Sequence, residues 1–273
     1  MQKTMTLSKM RADNRLLDEL RPLKVTYDVF SYASGSTLLE MGNTKVLCSV
    51  TLQNGVPHFL RGRKTGWLTA EYSLLPASTP IRTVREVTAN KRSGRTIEIS
   101  RLIGRALRAV SNLDVLGEQT IFVDCDVLQA DGGTRTACIT GAYLALKAAQ
   151  KSWKARGIIN KSLLIDELAA VSVGLSRHGA LLDMDFAEDS TIDADFNFVL
   201  TRSENIIEIQ GSAEKAPVSW DNYENMRLLA VKGAQELFTF FDMNPYTTLD
   251  DVADNNPEMF SRSPYSFSSE ILD

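Results

Sequence analysis

One junction constrains this chain more than any other stretch: Thr120–Lys147, TIFVDCDVLQADGGTRTACITGAYLALK. Its first half alternates apolar and polar residues and is rich in β-branched types. Ile121, Val123, Cys125 and Val127 share one side, which predicts a strand with a buried face. From Ala137 to about Lys147 good helix formers carry apolar residues at helical spacing. Between the two lies Asp131-Gly132-Gly133-Thr134-Arg135-Thr136. Two glycines allow positive φ or a close approach of backbone to a ligand. Thr134 or Thr136 can cap the helix. The N–H groups of the first helical turn then face forward and favour an anion, and Arg135 adds a forked positive charge at that mouth. The pattern reads as a phosphate or carboxylate cradle at a strand-to-helix junction; an ordinary tight connection would use the same residues. It matches neither G-x-x-x-x-G-K-[ST] nor G-x-G-x-x-G.

At 273 residues, 44% hydrophobic and 23% charged, the chain can bury a substantial core. Met1–Leu20 holds no apolar stretch typical of a secretory signal, and no run approaches bilayer length. Cys48, Cys125 and Cys138 are unevenly spaced and read as buried small hydrophobes. The expected compartment is the cytoplasm. His58 and His178 lie far apart, which argues against a His-based zinc site or a Ser-His triad. Net charge is −4, but its distribution is uneven: Phe59–Val110 holds eleven Lys/Arg against three acids, or +8, leaving −12 elsewhere. Such asymmetry suggests a polyanionic partner on one surface.

Arg11–Pro22 reads as a charged lead-in with one helical turn. Val25–Phe30, Ser36–Glu40 and Lys45–Leu52 read as strands, the last two joined by a hairpin turn at Met41-Gly42-Asn43-Thr44. Trp67–Leu75 regains strand character. Pro80–Gly94 is basic and aperiodic, either a loop that grips phosphates or a solvated one. Thr96–Val110 is a helix with Ile99, Leu102, Ile103, Ala106, Leu107 and Val110 inward. Arg101, Arg105 and Arg108 form a second stripe, with Glu98 placed to pair within it or across an interface. Arg95 follows Ser93-Gly94 at the start of that helix, so two helix N-termini bearing Arg95 and Arg135 could converge on one phosphate. Lys151–Asn160 reads as a polar linker and Ala169–Leu175 as a buried strand. Leu181–Phe186 and Ala194–Leu200 read as strands flanking an acidic turn, where Asp183, Asp185, Glu188, Asp189, Asp193 and Asp195 crowd. Carboxylates at that density need neutralising. Oxygen ligands suit Mg²⁺ or Mn²⁺; an acidic turn in water is the other reading. Ile206–Gln210 is a further strand, Asp221–Phe241 an amphipathic helix, and residues 244–273 a polar, acidic tail.

With these residues laid out, the chain resembles the ribonuclease PH family, bacterial enzymes that shorten RNA 3′ ends with inorganic phosphate. The resemblance runs from about Arg11 to Phe241. Its carriers are Asn43-Thr44-Lys45-Val46, Phe59-Leu60-Arg61-Gly62, Gly66–Ser73, Ser93–Thr96, Arg101–Arg108 and Gln129–Thr136. It implies an α/β (α+β) fold of pseudo-duplicated sheet and helix halves, ribosomal protein S5 domain 2-like. The catalytic body would be residues 1–243, in halves 11–155 and 156–243. It implies phosphate held by Arg95, Gly133, Thr134 and Arg135. Asp189 and Asp195 would serve the divalent metal and catalysis with Arg95, and Arg61, Arg82, Arg85 and Arg92 would bind RNA. Precursor tRNA is the implied substrate, and a homo-hexamer built as a trimer of dimers the implied assembly. One departure is the Asp-Gly-Arg usual near the N-terminus, which is Asp13-Asn14-Arg15 here. The rival readings are a non-catalytic RNA-binding ring subunit of an exosome-like assembly, a hydrolytic nuclease, and a small-molecule phosphotransferase.

Overall fold

A computed structural model describes residues 11–247 apart from 87 and 89–91. The tail expected over 244–273 falls almost wholly outside the described residues, as does Lys91 of the basic window. Strands β1 (Leu23–Tyr27), β2 (Gly35–Met41), β3 (Thr44–Asn54), β4 (Trp67–Leu74) and β5 (Gln119–Gln129) form one sheet in the order β1-β2-β3-β5-β4. Its neighbours are antiparallel except β4 and β5, whose parallel pairing is bridged by helix α1 (Gly94–Ala109). The predicted hairpin joins β2 to β3. Helix α2 (Thr134–Ala155) follows β5. Strands β6 (Leu168–Ser176), β7 (Gly179–Leu182), β8 (Ala194–Thr201) and β9 (Ile206–Ala213) make an antiparallel sheet ordered β7-β6-β8-β9. A one-turn helix α3 (Phe186–Asp189) precedes β8, and α4 (Trp220–Met243) closes the described chain.

Helix α2 is the layer between the sheets. It packs on β2, β3 and β5 on one side and on β6 and β8 on the other. A helix apolar on one stripe needs one neighbour, whereas one apolar all round needs two. Here Ala137, Ile139, Ala142, Leu144, Ala145, Leu146 and Ala149 are all buried to within 1%. The small residues permit a close approach: a Cβ on Gly35 of β2 would stand 2.4 Å from both the Ala145 carbonyl oxygen and the Ala149 nitrogen. Those are backbone atoms of a clamped helix and cannot yield. Gly35→Ala is therefore expected to cost about 1–3 kcal/mol of stability, read as a lower urea midpoint.

Several local expectations change. Helix α2 runs to Ala155, so Lys151–Ala155 is helix and not linker; buried Trp153 anchors that last turn in the core. Arg11–Pro22 forms turns and no helix, because its arginines are drawn to partners near the start of α3. The strand expected to reach Phe186 stops at Leu182. Asp185 caps α3 in a capping box with Glu188 and turns the chain out of the sheet. Asn14 stands at φ 67°, so the left-handed turn suited to glycine is kept by the side chain that tolerates it best. The three cysteines are free and buried, as their patterns predict.

Candidate active site

The Gly132-Gly133 turn ends β5 and starts α2 with φ of 77° and 62°. Gly133 itself is the N-cap, and no side chain caps the helix. Thr134 and Thr136, expected as caps, are used elsewhere. The Thr134 hydroxyl meets Tyr72 Oη at 3.2 Å, and Thr136 Oγ1 donates back to the Gly133 carbonyl at 2.9 Å. The first-turn N–H groups of α2 thus lack the side-chain acceptor that closes most helix starts, which is the condition for holding an anion. Burial pushes the Tyr72 phenol up to about 12, so it stays protonated and can donate to Thr134.

Three residues remote in sequence hold the turn from behind. Arg21 forms a buried pair with Asp183, Nη2 to Oδ1 at 2.7 Å and Nε to Oδ2 at 3.0 Å. Its Nη1 also donates to the Asp131 carbonyl at 2.5 Å. The Thr44 hydroxyl donates to the Gly132 carbonyl at 2.7 Å and accepts from the Asp131 amide at 3.1 Å. In the sequence Arg21 is one arginine before a proline and carries no signal. Thr44 stands in the Asn43-Thr44-Lys45-Val46 motif, and the fold makes it a brace.

A cavity of about 580 Å³ opens in front of this turn. Arg95, Gly132, Gly133, Thr134, Arg135, Asp189 and Asp195 all line it. The two arginine-bearing helix starts therefore do converge. Ser93 caps α1 by accepting from Thr96 N at 3.1 Å, which sets Arg95 in the first turn. Glu98 pairs with Arg135 of α2 at 3.0 Å and not within α1. That tie steers the guanidinium, and its Nε remains buried without a hydrogen-bond partner. Ser172 Oγ, also lining the cavity, is a second buried polar atom without a partner.

The acidic crowd resolves into separate tasks. Asp183 is taken by Arg21, Asp185 caps α3, Glu188 pairs with Arg11, and Asp193 lies 3.3 Å from Lys215. Asp189 and Asp195 are left facing the cavity. Burial and the Asp189 charge push Asp195 up to about 6, against the pull of Arg135 and a 3.3 Å hydrogen bond from Asn197 Nδ2. Asp189 is raised too, by desolvation and Glu214, with Arg95 and Arg135 opposing. Two carboxylates kept short of cations fit an oxygen-seeking divalent ion that completes its shell with water and substrate oxygens. Among the described residues no cluster of three or more His, Cys, Asp or Glu could hold a metal alone.

The basic loop divides. Arg85 and Arg92 line a groove of about 680 Å³ that shares Arg95, Leu74 and Thr83 with the first cavity. Arg92 also pairs with Glu71 at 2.6 Å. Arg82 is exposed and lines neither of these spaces. Arg61 lies elsewhere, in a hollow with Trp67 and Phe122. Of the arginine stripe on α1, Arg105 pairs with Glu208 at 2.6 Å, and Arg108 lies 4.6 Å over the Trp67 ring while donating to the Leu68 carbonyl.

Fold and cavity together define a two-sheet α/β protein in which two arginine-bearing helix starts and a carboxylate pair line one cavity. Residues 19–152 match the 3′ exoribonuclease family, domain 1, and residues 166–233 match domain 2 of the same family. The chain belongs to the 3′ exoribonuclease family. It is 52% identical over 224 residues to "Ribonuclease PH" of Neisseria meningitidis serogroup B, covering 82% of this chain and 93% of that protein. It is 51% identical over 229 residues to "Ribonuclease PH" of Bacillus subtilis strain 168, covering 84% and 94%. Among solved structures it resembles the Archaeoglobus fulgidus exosome with RNA bound to the active site, with TM-score 0.73 and 22% identity over 85% of this chain and 92% of that one. An archaeal exosome core gives TM-score 0.67 at 21% identity, covering 85% and 91%. These two show the shared fold.

Proposed function

We infer that the cavity is the active site of a phosphate-dependent 3′→5′ exoribonuclease. The observation that carries this is one cavity holding an uncapped helix start, two arginines, an unpartnered Arg135 Nε and two carboxylates. Inorganic phosphate sits against the α2 N–H groups after Gly133, with Thr134, held by Arg95 and Arg135. One of its oxygens attacks the last phosphodiester in line. A new P–O bond forms, the bond to the 3′ oxygen of the preceding nucleotide breaks, and that oxygen takes the proton the phosphate gives up. The products are a nucleoside diphosphate and RNA one nucleotide shorter, and the step is reversible. The chain contributes positioning and charge. Asp189 and Asp195 would hold Mg²⁺ or Mn²⁺. Such an ion would supply charge neutralisation at the transferring phosphoryl oxygens.

RNA would enter along the Arg85–Arg92 groove, with Arg82 and Arg61 contacting more distant phosphates. The substrate is the 3′ extension of precursor tRNA, and the chain works as a cytoplasmic homo-hexamer. The catalytic body expected over 1–243 comprises the halves 11–155 and 156–243, a reading supported by one apolar core of the described residues that spans both sheets, residues 1–10 lying outside the described ones. No helix among the described residues is long and apolar enough to cross a membrane.

The test is a product analysis with 3′-extended RNA and Mg²⁺, with and without inorganic phosphate. Nucleoside diphosphates should appear only with phosphate. Arg95→Ala should lower the rate by about 10²–10³-fold, the scale of losing one positioned charge donor. Nucleoside monophosphates released regardless of phosphate would mean hydrolysis and sink the reading.

A further inference from the structure

The same cavity has an apolar lining that phosphate chemistry leaves unused. Phe186 and Ile81 line it, together with Leu74, Pro80 and Met184. Phe186 is 57% exposed and Ile81 84% exposed. Large apolar side chains left this open inside a concave site mark a surface that something covers. Neither is loose. Phe186 is the first residue of α3, behind the capping box, and its backbone N–H donates to Asp131 Oδ1 at 3.3 Å. Glu188 of that box is held by Arg11. The Ile81 turn is pinned by Thr83 N to the Pro76 carbonyl at 2.9 Å and by Ala130 N to the Ser78 carbonyl at 2.8 Å. Thr79 Oγ1 donates to the Ile81 carbonyl at 2.7 Å.

We propose that Phe186 and Ile81 form a slot for the nucleobase of the 3′-terminal nucleotide, with Phe186 as its stacking face. The proposal rests on the reading of the Gly132–Arg135 side chains and backbone of the same cavity as the phosphate site. Phe186 and Asp189 lie three residues apart on α3 and line the same cavity. At that spacing their Cβ atoms are about 5–6 Å apart, a gap that one ribose can span. A terminal phosphodiester beside Asp189 thus places its own base at the ring. The slot reads the face of a base and not its edge. The Thr79 hydroxyl is spent on the Ile81 carbonyl, and Thr83 Oγ1 points to the Leu75 carbonyl at 3.5 Å. Stacking on an aromatic ring tolerates all four bases and favours the larger purines. This suits an enzyme that must remove whichever nucleotide comes next.

The experiment compares RNAs ending in adenosine, uridine or an abasic ribose, with wild type, Phe186→Ala and Phe186→Tyr, in Mg²⁺ and inorganic phosphate. Wild type should release the adenosine end best and the abasic end worst. Phe186→Ala should raise KM for the adenosine end about 5- to 100-fold. It should erase the preference over the abasic end and leave KM for phosphate unchanged. Phe186→Tyr should restore both. A 3′-terminal 2-aminopurine should lose fluorescence on binding to wild type without phosphate, and not on binding to Phe186→Ala. Equal use of adenosine and abasic ends by wild type, or a preference that survives in Phe186→Ala, would overturn the slot. Phosphate-dependent diphosphate release in wild type keeps that outcome separate from a failure of the phosphorolytic reading. An unchanged KM for phosphate shows that the alanine variant is folded.

Discussion

Asp195→Asn is expected to stop phosphorolysis and at the same time make the protein more stable. The activity loss should reach at least about 10²-fold, because a cavity carboxylate is replaced by an amide that carries no charge and holds a divalent ion more weakly. The stability gain follows from the shift of the native carboxyl up to about 6 by burial and by Asp189. A carboxyl whose folded value lies above its unfolded value is protonated more readily in the fold. Its ionised form therefore opposes folding at pH 7, and that opposition fades as pH falls through 6 toward 4. The asparagine variant should exceed wild type by about 1–2 kcal/mol at pH 7, a figure reduced from the full linkage because the cavity admits water. The two should converge near pH 4. Urea midpoints at both pH values measure this. Adding Mg²⁺ should raise the wild-type midpoint more than that of the variant. Equal stability of the two proteins at pH 7 would refute the strained carboxylate pair.

Arg21→Ala is expected to cost about 3–5 kcal/mol, the largest stability effect of any single change here. It leaves Asp183, which is 1% exposed, as an uncompensated buried charge. It also removes the donor to the Asp131 carbonyl, so the Gly132-Gly133 turn loses its rear support. Arg21→Met combined with Asp183→Leu should recover most of the stability, since an apolar pair of similar volume avoids the desolvation penalty. That double variant should still bind phosphate poorly, because Met cannot hold the turn's carbonyls. Denaturation midpoints read the first effect and phosphate titration the second. Full phosphate affinity in the stable double variant would show that Arg21 does nothing for the cradle.

Much of this architecture was legible in the chain. The alternation of Ile121 to Val127, the stripe from Ile99 to Val110 and the small apolar run after Ala137 are short-period patterns, and a strand or helix is made by those periods over a few residues. The turn into α2 was legible for the same reason: glycines, a helix start and an arginine lie within six residues, Asp131–Thr136. The extension of α2 through Ala155 was missed because Lys151 and Lys154 look like linker, while Trp153, which holds that turn in the core, is one residue among polar ones.

The sequence by itself determined most of the strands and long helices, the Gly132-Gly133 turn with its arginine and the acidic stretch of Asp183–Asp195. Only the tertiary structure decided which acid does what. Arg21 reaches Asp183 across 162 residues, Arg11 reaches Glu188 across 177, and Glu98 reaches Arg135 across 37. Coulomb attraction acts through space and falls with distance, so a carboxylate's partner is set by the path of the chain and not by its neighbours in the list. Those remote pairings neutralise Asp183 and Glu188. They leave Asp189 and Asp195 uncovered where the two arginine-bearing helix starts meet.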